Sequence, residues 1–331
     1  MECLLTIAIP TYNRKALLKR AVESILEQNT PEIEILVSDN ASTDGTDLYM
    51  RNLCDSYKDI RYIRNAENID APRNFLQCYR ESKGKFVLLL GSDDLMLPGA
   101  IAELVVFIKQ YSDLDACFFN HTYFDGDFID VEHCWARHFN EKKESYVTQD
   151  KEVFLKAMRE RCTFMSCFFL KRQNVLDALE REKDNLTFFM STRFTQTCLF
   201  FASTSDQHAN LGVVYHPCVA NDQTPGNVRL SSFHVYGLGL YNLLCVIAPK
   251  FGYDGGVTAE IYKDFAGRRF ARMVAVAKSE KKENWKADFW EKCYPYIKKY
   301  PVVRFKCLIA YYTPSIVTRL LRKINNIIKE F

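Results

Sequence analysis

The sequence has no C-x-x-C pair, no internal repeat or low-complexity tract, no basic stretch ahead of an apolar run at its amino terminus, and little net charge. Each absence excludes a class of protein. Twelve cysteines without zinc-ligand spacing do not form a metal framework, and Cys3, Cys117, Cys167, Cys198, Cys245 and Cys307 lie in apolar surroundings. Free thiols in a reducing compartment are the expectation. The amino terminus reads directly as a strand, so no signal peptide is expected and the predicted location is cytoplasmic. A balance of 44 basic against 41 acidic side chains, net +3, is too even for a broad cationic face, and no nucleic-acid partner is expected. Residues 230–249 contain no Asp, Glu, Lys or Arg, which is long enough to cross a bilayer. Ser231, Ser232, His234, Gly237, Gly239 and Asn242 interrupt the stretch, leaving about 14 mostly apolar positions, the length of a buried core helix.

What is present is globular: 48% hydrophobic and 26% charged over 331 residues, which excludes a disordered, collagenous or coiled-coil chain. The length suits about two domains, or one large α/β domain with an appendage. From residue 3 to about 120, short β-rich runs alternate with helical ones. Strands are predicted at 3–9, 33–37, 60–63 and 86–90. Helices fall between them at 15–28, where Leu17, Leu18, Ala21, Val22, Ile25 and Leu26 form one stripe, at 46–57 and at 72–82. Strand and crossover helix in repetition build a mostly parallel sheet with helices on both faces, an α/β fold. Beyond 120 the pattern predicts a helix at 153–159, a strand at 163–170, a helix at 186–202, a strand at 211–215, a polar loop at 220–232 and helices from 233 onward. The segment 120–146 shows no readable periodicity.

In such sheets ligands sit outside the carboxyl ends of the strands. The loops there are Pro10-Thr11-Tyr12-Asn13-Arg14, Ser38-Asp39-Asn40-Ala41-Ser42-Thr43-Asp44-Gly45 and Gly91-Ser92-Asp93-Asp94. Adjacent carboxylates leaving a wholly apolar strand need a counter-charge, and a divalent cation with oxygen ligands is the usual one.

These loops, with Asn68, Pro72-Arg73-Asn74 and Gly84, match in order and spacing the motifs of family 2 glycosyltransferases of GT-A fold, which the first 100 or so residues resemble. The resemblance implies a nucleoside-diphosphate sugar donor, with UDP or dTDP favoured, and Mn²⁺ or Mg²⁺ as cofactor. It places Tyr12 against the nucleobase, Asp39 on the base's imide N–H, Arg73 toward the phosphates and Asp93 on the metal. Pro10, Thr11, Asn13, Asn68 and Ser92 complete the donor pocket. Asn13 could equally be a helix cap; for Asp39 the alternative is a cap on the helix that follows, for which Asp44 is better placed. The frequent Asp-x-Asp-Asp pattern is changed here, because Gly91 replaces its first carboxylate.

Inverting members carry a catalytic carboxylate, often in a Glu-Asp pair, at the start of a helix in the second half. Here the corresponding stretch, 184–196, has no such pair, and its texture resembles the abequosyltransferase-like branch of bacterial polysaccharide enzymes. Asp184 is the first candidate for the base, followed by Asp206 and Asp222. The implied activity is inverting transfer to a saccharide or lipid-linked saccharide in surface polysaccharide assembly. The alternative is a nucleotide-sugar-binding protein without catalysis. A nucleotidyltransferase would need a Gly-rich phosphate loop near the amino terminus, and residues 10–14 contain no glycine.

Toward the carboxyl end, Ile316, Leu320, Leu321, Ile324, Ile327, Ile328 and Phe331 fall on one helical stripe among Arg319, Arg322, Lys323 and Lys329. A basic amphipathic helix of this kind can lie in a membrane interface or pack on the catalytic domain; the lipid-linked acceptors of the resembling branch favour peripheral attachment at the inner leaflet. The predicted organisation is a GT-A domain over 1–232, with its donor half at 1–120 and its acceptor half at 121–232, and a helical region over 233–331.

Overall fold

The first strand, β1 (Leu5–Thr11), is buried at all seven positions, as a strand covered on both faces must be. In this computed structural model, which describes residues 3–125, 128–130, 144–222, 233–314 and 317, β1 sits inside a ten-stranded sheet. Helix α1 (Lys15–Leu26) follows and buries Leu18, Ala21, Val22 and Ile25, the three- and four-residue spacing of one helical face. Then come β2 (Ile33–Asp39), α2 (Thr46–Ser56), β3 (Ile60–Arg64), α3 (Ala71–Glu81) and β4 (Phe86–Leu89). β1 pairs in parallel with β2, Thr11 facing Asp39, and with β4, Leu5 facing Phe86.

The second half adds β5 (Leu95–Met96), α4 (Ala100–Gln110), β6 (Ala116–Asp125), β7 (Phe128–Asp130), β8 (Tyr146–Thr148), α5 (Lys151–Met158), β9 (Phe168–Lys171), α6 (Arg172–Arg181), α7 (Leu186–Ser191), α8 (Thr195–Ser203) and β10 (Leu211–Asp222). Strand order is β3-β2-β1-β4-β9-β6-β10-β5, with β7 on β6 and β8 on β10. β9 is antiparallel to both of its neighbours, β4 and β6, and β10 runs parallel to β6. The carboxyl ends of β1, β2, β3, β4, β6 and β10 therefore share one edge, and that edge holds the site.

From residue 233 the chain is helical. Residues 233–250 contain two π-helical runs, Phe233–Gly239 and Asn242–Ile247, and end in α9 (Ala248–Lys250). Gly237 and Gly239 let this segment touch other backbones, since a Cβ there would stand 2.1 Å from the Lys292 carbonyl and 2.2 Å from that of Thr192. α10 (Gly255–Ser279), capped by Asp254, is followed by α11 (Trp285–Lys292), α12 (Tyr294–Ile297) and α13 (Pro301–Tyr312). These helices share the core of the sheet region: Tyr253 meets Phe201 edge-on at 4.7 Å, and Arg159 bonds Asp264 at 2.8 Å. Among the described residues no helix is long and apolar enough to cross a membrane.

Three expectations are corrected. The strand predicted at 163–170 is only Phe168–Lys171; 3₁₀ turns at Arg159–Thr163 and Met165–Cys167 precede it, burying Arg161 and Ser166. The single helix predicted at 186–202 is two, because Arg193 takes φ 68° and Thr192 Oγ1 accepts from the Phe194 N–H. The strand predicted to stop at 215 runs on to Asp222, shifting register around Pro217, which has no N–H to give. Residues 220–222 are thus strand, and the rest of the predicted loop lies outside the described residues. So does every residue of the carboxyl-terminal stripe.

Candidate functional site

The loops after β1 and β2 are laced together before any ligand is considered. Asn13, at φ 51°, accepts from the Thr43 N–H at 2.7 Å and donates its own N–H to Ser42 Oγ at 2.8 Å. It ties loop to loop, while Asp44 caps α1 through the Lys15 N–H (2.8 Å) and α2 through Thr46. Burial acts to raise the Asp44 carboxyl, but the bonds from Thr46 and Lys15 outweigh it and hold the group below the usual carboxylate range. Tyr12 projects beside them, 45% exposed, its ring open to stack. Thr11 is buried, and its hydroxyl has no hydrogen-bond partner.

Asp39 is fully buried at the end of β2. One oxygen accepts from the Ser42 N–H at 2.9 Å; the other accepts from Tyr62 Oη at 2.7 Å and stands 3.4 Å from Arg64 Nε. Burial and the bond to Asp39 push the Tyr62 phenol well above its ordinary range. Tyr62 and Arg64 on β3 thus join the site, and nothing in their local sequence marks them beyond their place at a strand end. Asn68 accepts from Asn40 (2.8 Å) and from the Asp70 N–H (3.0 Å), continuing an asparagine network that reaches Asn74 through Asn65. Arg73 stands exposed at the start of α3, bonded to Asp70 at 3.2 Å.

The third loop separates its two carboxylates. Asp93 is partly exposed and bonds Arg14 Nη1 at 2.6 Å, while Ser92 before it is buried. Asp94 turns inward, 2% exposed. Its Oδ2 accepts from Ser166 Oγ at 2.5 Å and its Oδ1 from Asn221 Nδ2 at 2.8 Å, partners 72 and 127 residues away. Burial, with Asp93 next door, pushes the Asp94 carboxyl up to about 7. Gly91 makes this fold-back possible: a Cβ there would stand 2.5 Å from Asp94 Oδ2 and 3.0 Å from Asp93 Oδ1. Asp94, Ser166 and Asn221 were not foreseen as a unit, because neither partner is near the motif in sequence.

Of the three carboxylates considered as a base, Asp184 lies exposed in the 3₁₀ turn Lys183–Asn185 between α6 and α7. Asp206 caps an exposed turn, accepting from the His208 N–H at 2.7 Å, just before β10 begins. The start of β10 is the amino edge of the sheet, opposite the loops. Asp222 ends β10 beside Asn221 and directs its backbone N–H toward Asp94. It is the one of the three that the topology brings to the carboxyl edge. Nearby on β6, Asn120 Nδ2 and His121 Nδ1 are buried without a hydrogen-bond partner among the described residues, and burial with Arg161 pushes the His121 imidazole down to about 3. At the start of α8, Thr195 Oγ1 and Gln196 Oε1 are likewise buried and without a hydrogen-bond partner among the described residues.

The model of the family described as Glycosyl transferase family 2 matches residues 6–177, more than half of the chain. The chain belongs to family 2 of the glycosyltransferases. It is 32% identical over 158 residues to the abequosyltransferase RfbV of Salmonella typhimurium, covering 46% of this chain and 47% of that one. It is 35% identical over 102 residues to the GalNAc(5)-diNAcBac-PP-undecaprenol beta-1,3-glucosyltransferase of Campylobacter jejuni, covering 30% and 33%. The chain thus spans about half or less of these relatives' lengths. Among solved structures, S. aureus TarS 1-349 in complex with UDP-GlcNAc superposes with a TM-score of 0.64 at 16% identity, over 96% of this chain and 92% of that one. The sheet described above is therefore of GT-A type, and the chain is similar to bacterial polysaccharide transferases over part of its length.

Proposed function

We propose that this family member moves a sugar from a nucleoside-diphosphate donor, UDP- or dTDP-linked, to a saccharide or lipid-linked saccharide acceptor, with inversion, in surface polysaccharide assembly. The observation that carries the reading is the convergence on one sheet edge of an open aromatic ring, Tyr12, a buried carboxylate, Asp39, and an exposed carboxylate–guanidinium pair, Asp93 and Arg14. The likeness to a glucosyltransferase named for an undecaprenol-linked saccharide supports the acceptor class.

Mn²⁺ or Mg²⁺ fits the corner at Asp93. The carboxylate is partly exposed, and Gly91 leaves it a cradle that any side chain would fill. Asp93 would be the protein ligand, with diphosphate and water completing the shell, as is usual for Mg²⁺ at nucleotide sites. The ion, when bound, supplies positive charge against the negative charge that develops on the departing diphosphate. Tyr12 stacks the base and Asp39, already fixed by Tyr62 and Arg64, offers its carboxylate edge to the imide. Pro10, Thr11, Asn13, Asn68 and Ser92 shape the donor pocket. Arg14 and Arg73 turn from their carboxylate partners to the phosphates, where a planar fork suits two oxygens.

Asp222 becomes the leading candidate to accept the proton of the attacking hydroxyl, ahead of Asp184 and Asp206. A general base contributes about 10²- to 10⁴-fold. The test is acceptor-dependent release of nucleoside diphosphate: Asp222→Asn should lower turnover at least a hundredfold with donor affinity kept, and Asp184→Asn and Asp206→Asn should leave it intact. Turnover surviving in Asp222→Asn would remove that assignment. Donor binding with no release under any acceptor would favour a nucleotide-sugar-binding protein instead.

A further inference from the structure

Helix α13 is anchored by one face only. Val303 and Cys307 are buried, Val303 lies against α10 beside Gly267, and Lys278 of α10 donates to the carbonyls of Tyr311 and Thr313. On the outward face Val302, Phe305, Ile309 and Tyr312 are 67%, 65%, 51% and 70% exposed. Steps of three, four and three residues place them on a single line along the helix. Four large apolar side chains in a row on a free surface mark a place where something docks.

The charge around this line identifies the occupant. Between Glu291 and Glu330 the sequence carries nine Lys or Arg and no Asp or Glu, so that the remainder of a chain with net +3 holds −6. Lys298, Lys299, Arg304 and Lys306 of this set are exposed on or beside α13. A second copy of the chain docking through the same face would set two such cationic regions against each other, and like-charge juxtaposition opposes that. A bilayer with anionic headgroups offers apolar depth for Phe305 and Ile309 and negative charge for the basic side chains at once. No helix among the described residues is long and apolar enough to span, and the contact proposed is one of lying on the surface.

We infer that the Val302–Phe305–Ile309–Tyr312 face of α13 is a docking surface for an anionic lipid bilayer. The inference deepens the lipid-linked acceptor reading and rests on it for its purpose, but its test needs neither donor nor acceptor. Full-length protein is floated with vesicles of phosphatidylcholine alone or with three parts in ten phosphatidylglycerol, at low and high salt. The expected result is flotation with the anionic vesicles only, weakened by salt, and a loss of at least tenfold in vesicle affinity for the exposed-site double variant Phe305→Ser, Ile309→Ser. That variant should keep wild-type transfer onto a soluble acceptor, so failure of transfer and failure of docking are read separately. Equal flotation with both vesicle types, no flotation at all, or undiminished binding by the double variant overturns the inference. A wild-type dimer in light scattering that the double variant dissolves, without vesicle binding, assigns the face to a second copy instead.

Discussion

Replacing Gly91 by alanine tests whether Asp94 is a fixed strut of the site. The backbone at Gly91 is not in the left-handed region, so a methyl group adds no conformational strain, and its effect comes from contact alone. The new Cβ would stand 2.5 Å from Asp94 Oδ2, and that oxygen cannot swing freely because Ser166 Oγ holds it at 2.5 Å while Asn221 holds its twin at 2.8 Å. Relief requires stretching one or both of those bonds or moving the loop. Overpacking costs about 1–3 kcal/mol and an ordinary hydrogen bond contributes about 0.5–1.5 kcal/mol, so a loss of about 1.5–4.5 kcal/mol in unfolding free energy is expected, read by urea titration. Displacing the loop also displaces Asp93, and an error on the order of 1 Å at a reacting group can cost about a hundredfold in rate. Mn²⁺-dependent release of nucleoside diphosphate should therefore fall at least tenfold in Gly91→Ala. Gly91→Asp, which restores the commoner family carboxylate, should be worse, because it crowds a third acid against Asp93 and Asp94. A Gly91→Ala protein with unchanged stability and turnover, or a Gly91→Asp protein that gains activity, would refute the reasoning.

Two further outcomes follow from the same corner. The Asp94 carboxyl is raised to about 7 in the folded chain by burial and by Asp93, against an unfolded value of about 3.9, so between those values the folded state holds the extra proton. Its contribution to stability is full below about pH 4 and is lost as pH rises toward about 7; urea midpoints between pH 4.5 and 8 should show this decline, and Asp94→Asn should flatten it, while an equal slope in both proteins would count against the buried acid. Arg14, which bonds Asp93 at 2.6 Å but is itself well exposed, competes with the ion for that carboxylate. An exposed pair is worth about 0.2–1 kcal/mol, so Arg14→Gln should bind Mn²⁺ without donor up to about fivefold more tightly by paramagnetic resonance titration, and weaker binding would mean that Arg14 supports the metal corner instead.

The parallel half of the sheet was legible because its strands and helices obey their periods without long-range help: α1 buries the apolar positions on the predicted stripe, and β3 lies within a residue of its predicted bounds. Legibility fails where a polar side chain or a proline replaces the periodic cue. Ser166 and Arg161 sit buried in 3₁₀ turns that the apolar texture of 163–170 disguised as strand, and Thr192 caps a break that composition alone could not mark. The strand predicted at 211–215 ends before Pro217, yet β10 shifts register around that proline and carries Asn221 and Asp222 to the carboxyl edge. At the site, Asp93 and Asp94 could be read as adjacent acids, but their opposite fates could not. One faces Arg14 across 79 residues and the other faces Ser166 and Asn221, and only the folded sheet brings those partners together.

The proposal to be tested most directly is that Asp93 holds a divalent metal against a nucleoside-diphosphate sugar. The direct measurement is the melting temperature of wild type and Asp93→Ala with UDP- and dTDP-sugars, with and without Mn²⁺, alongside nucleoside diphosphate release, since a ligand that binds only the folded state raises that temperature. The account predicts a rise in wild type that needs both sugar nucleotide and metal, and neither that rise nor turnover in Asp93→Ala. Metal-dependent stabilisation and turnover persisting in Asp93→Ala would contradict it.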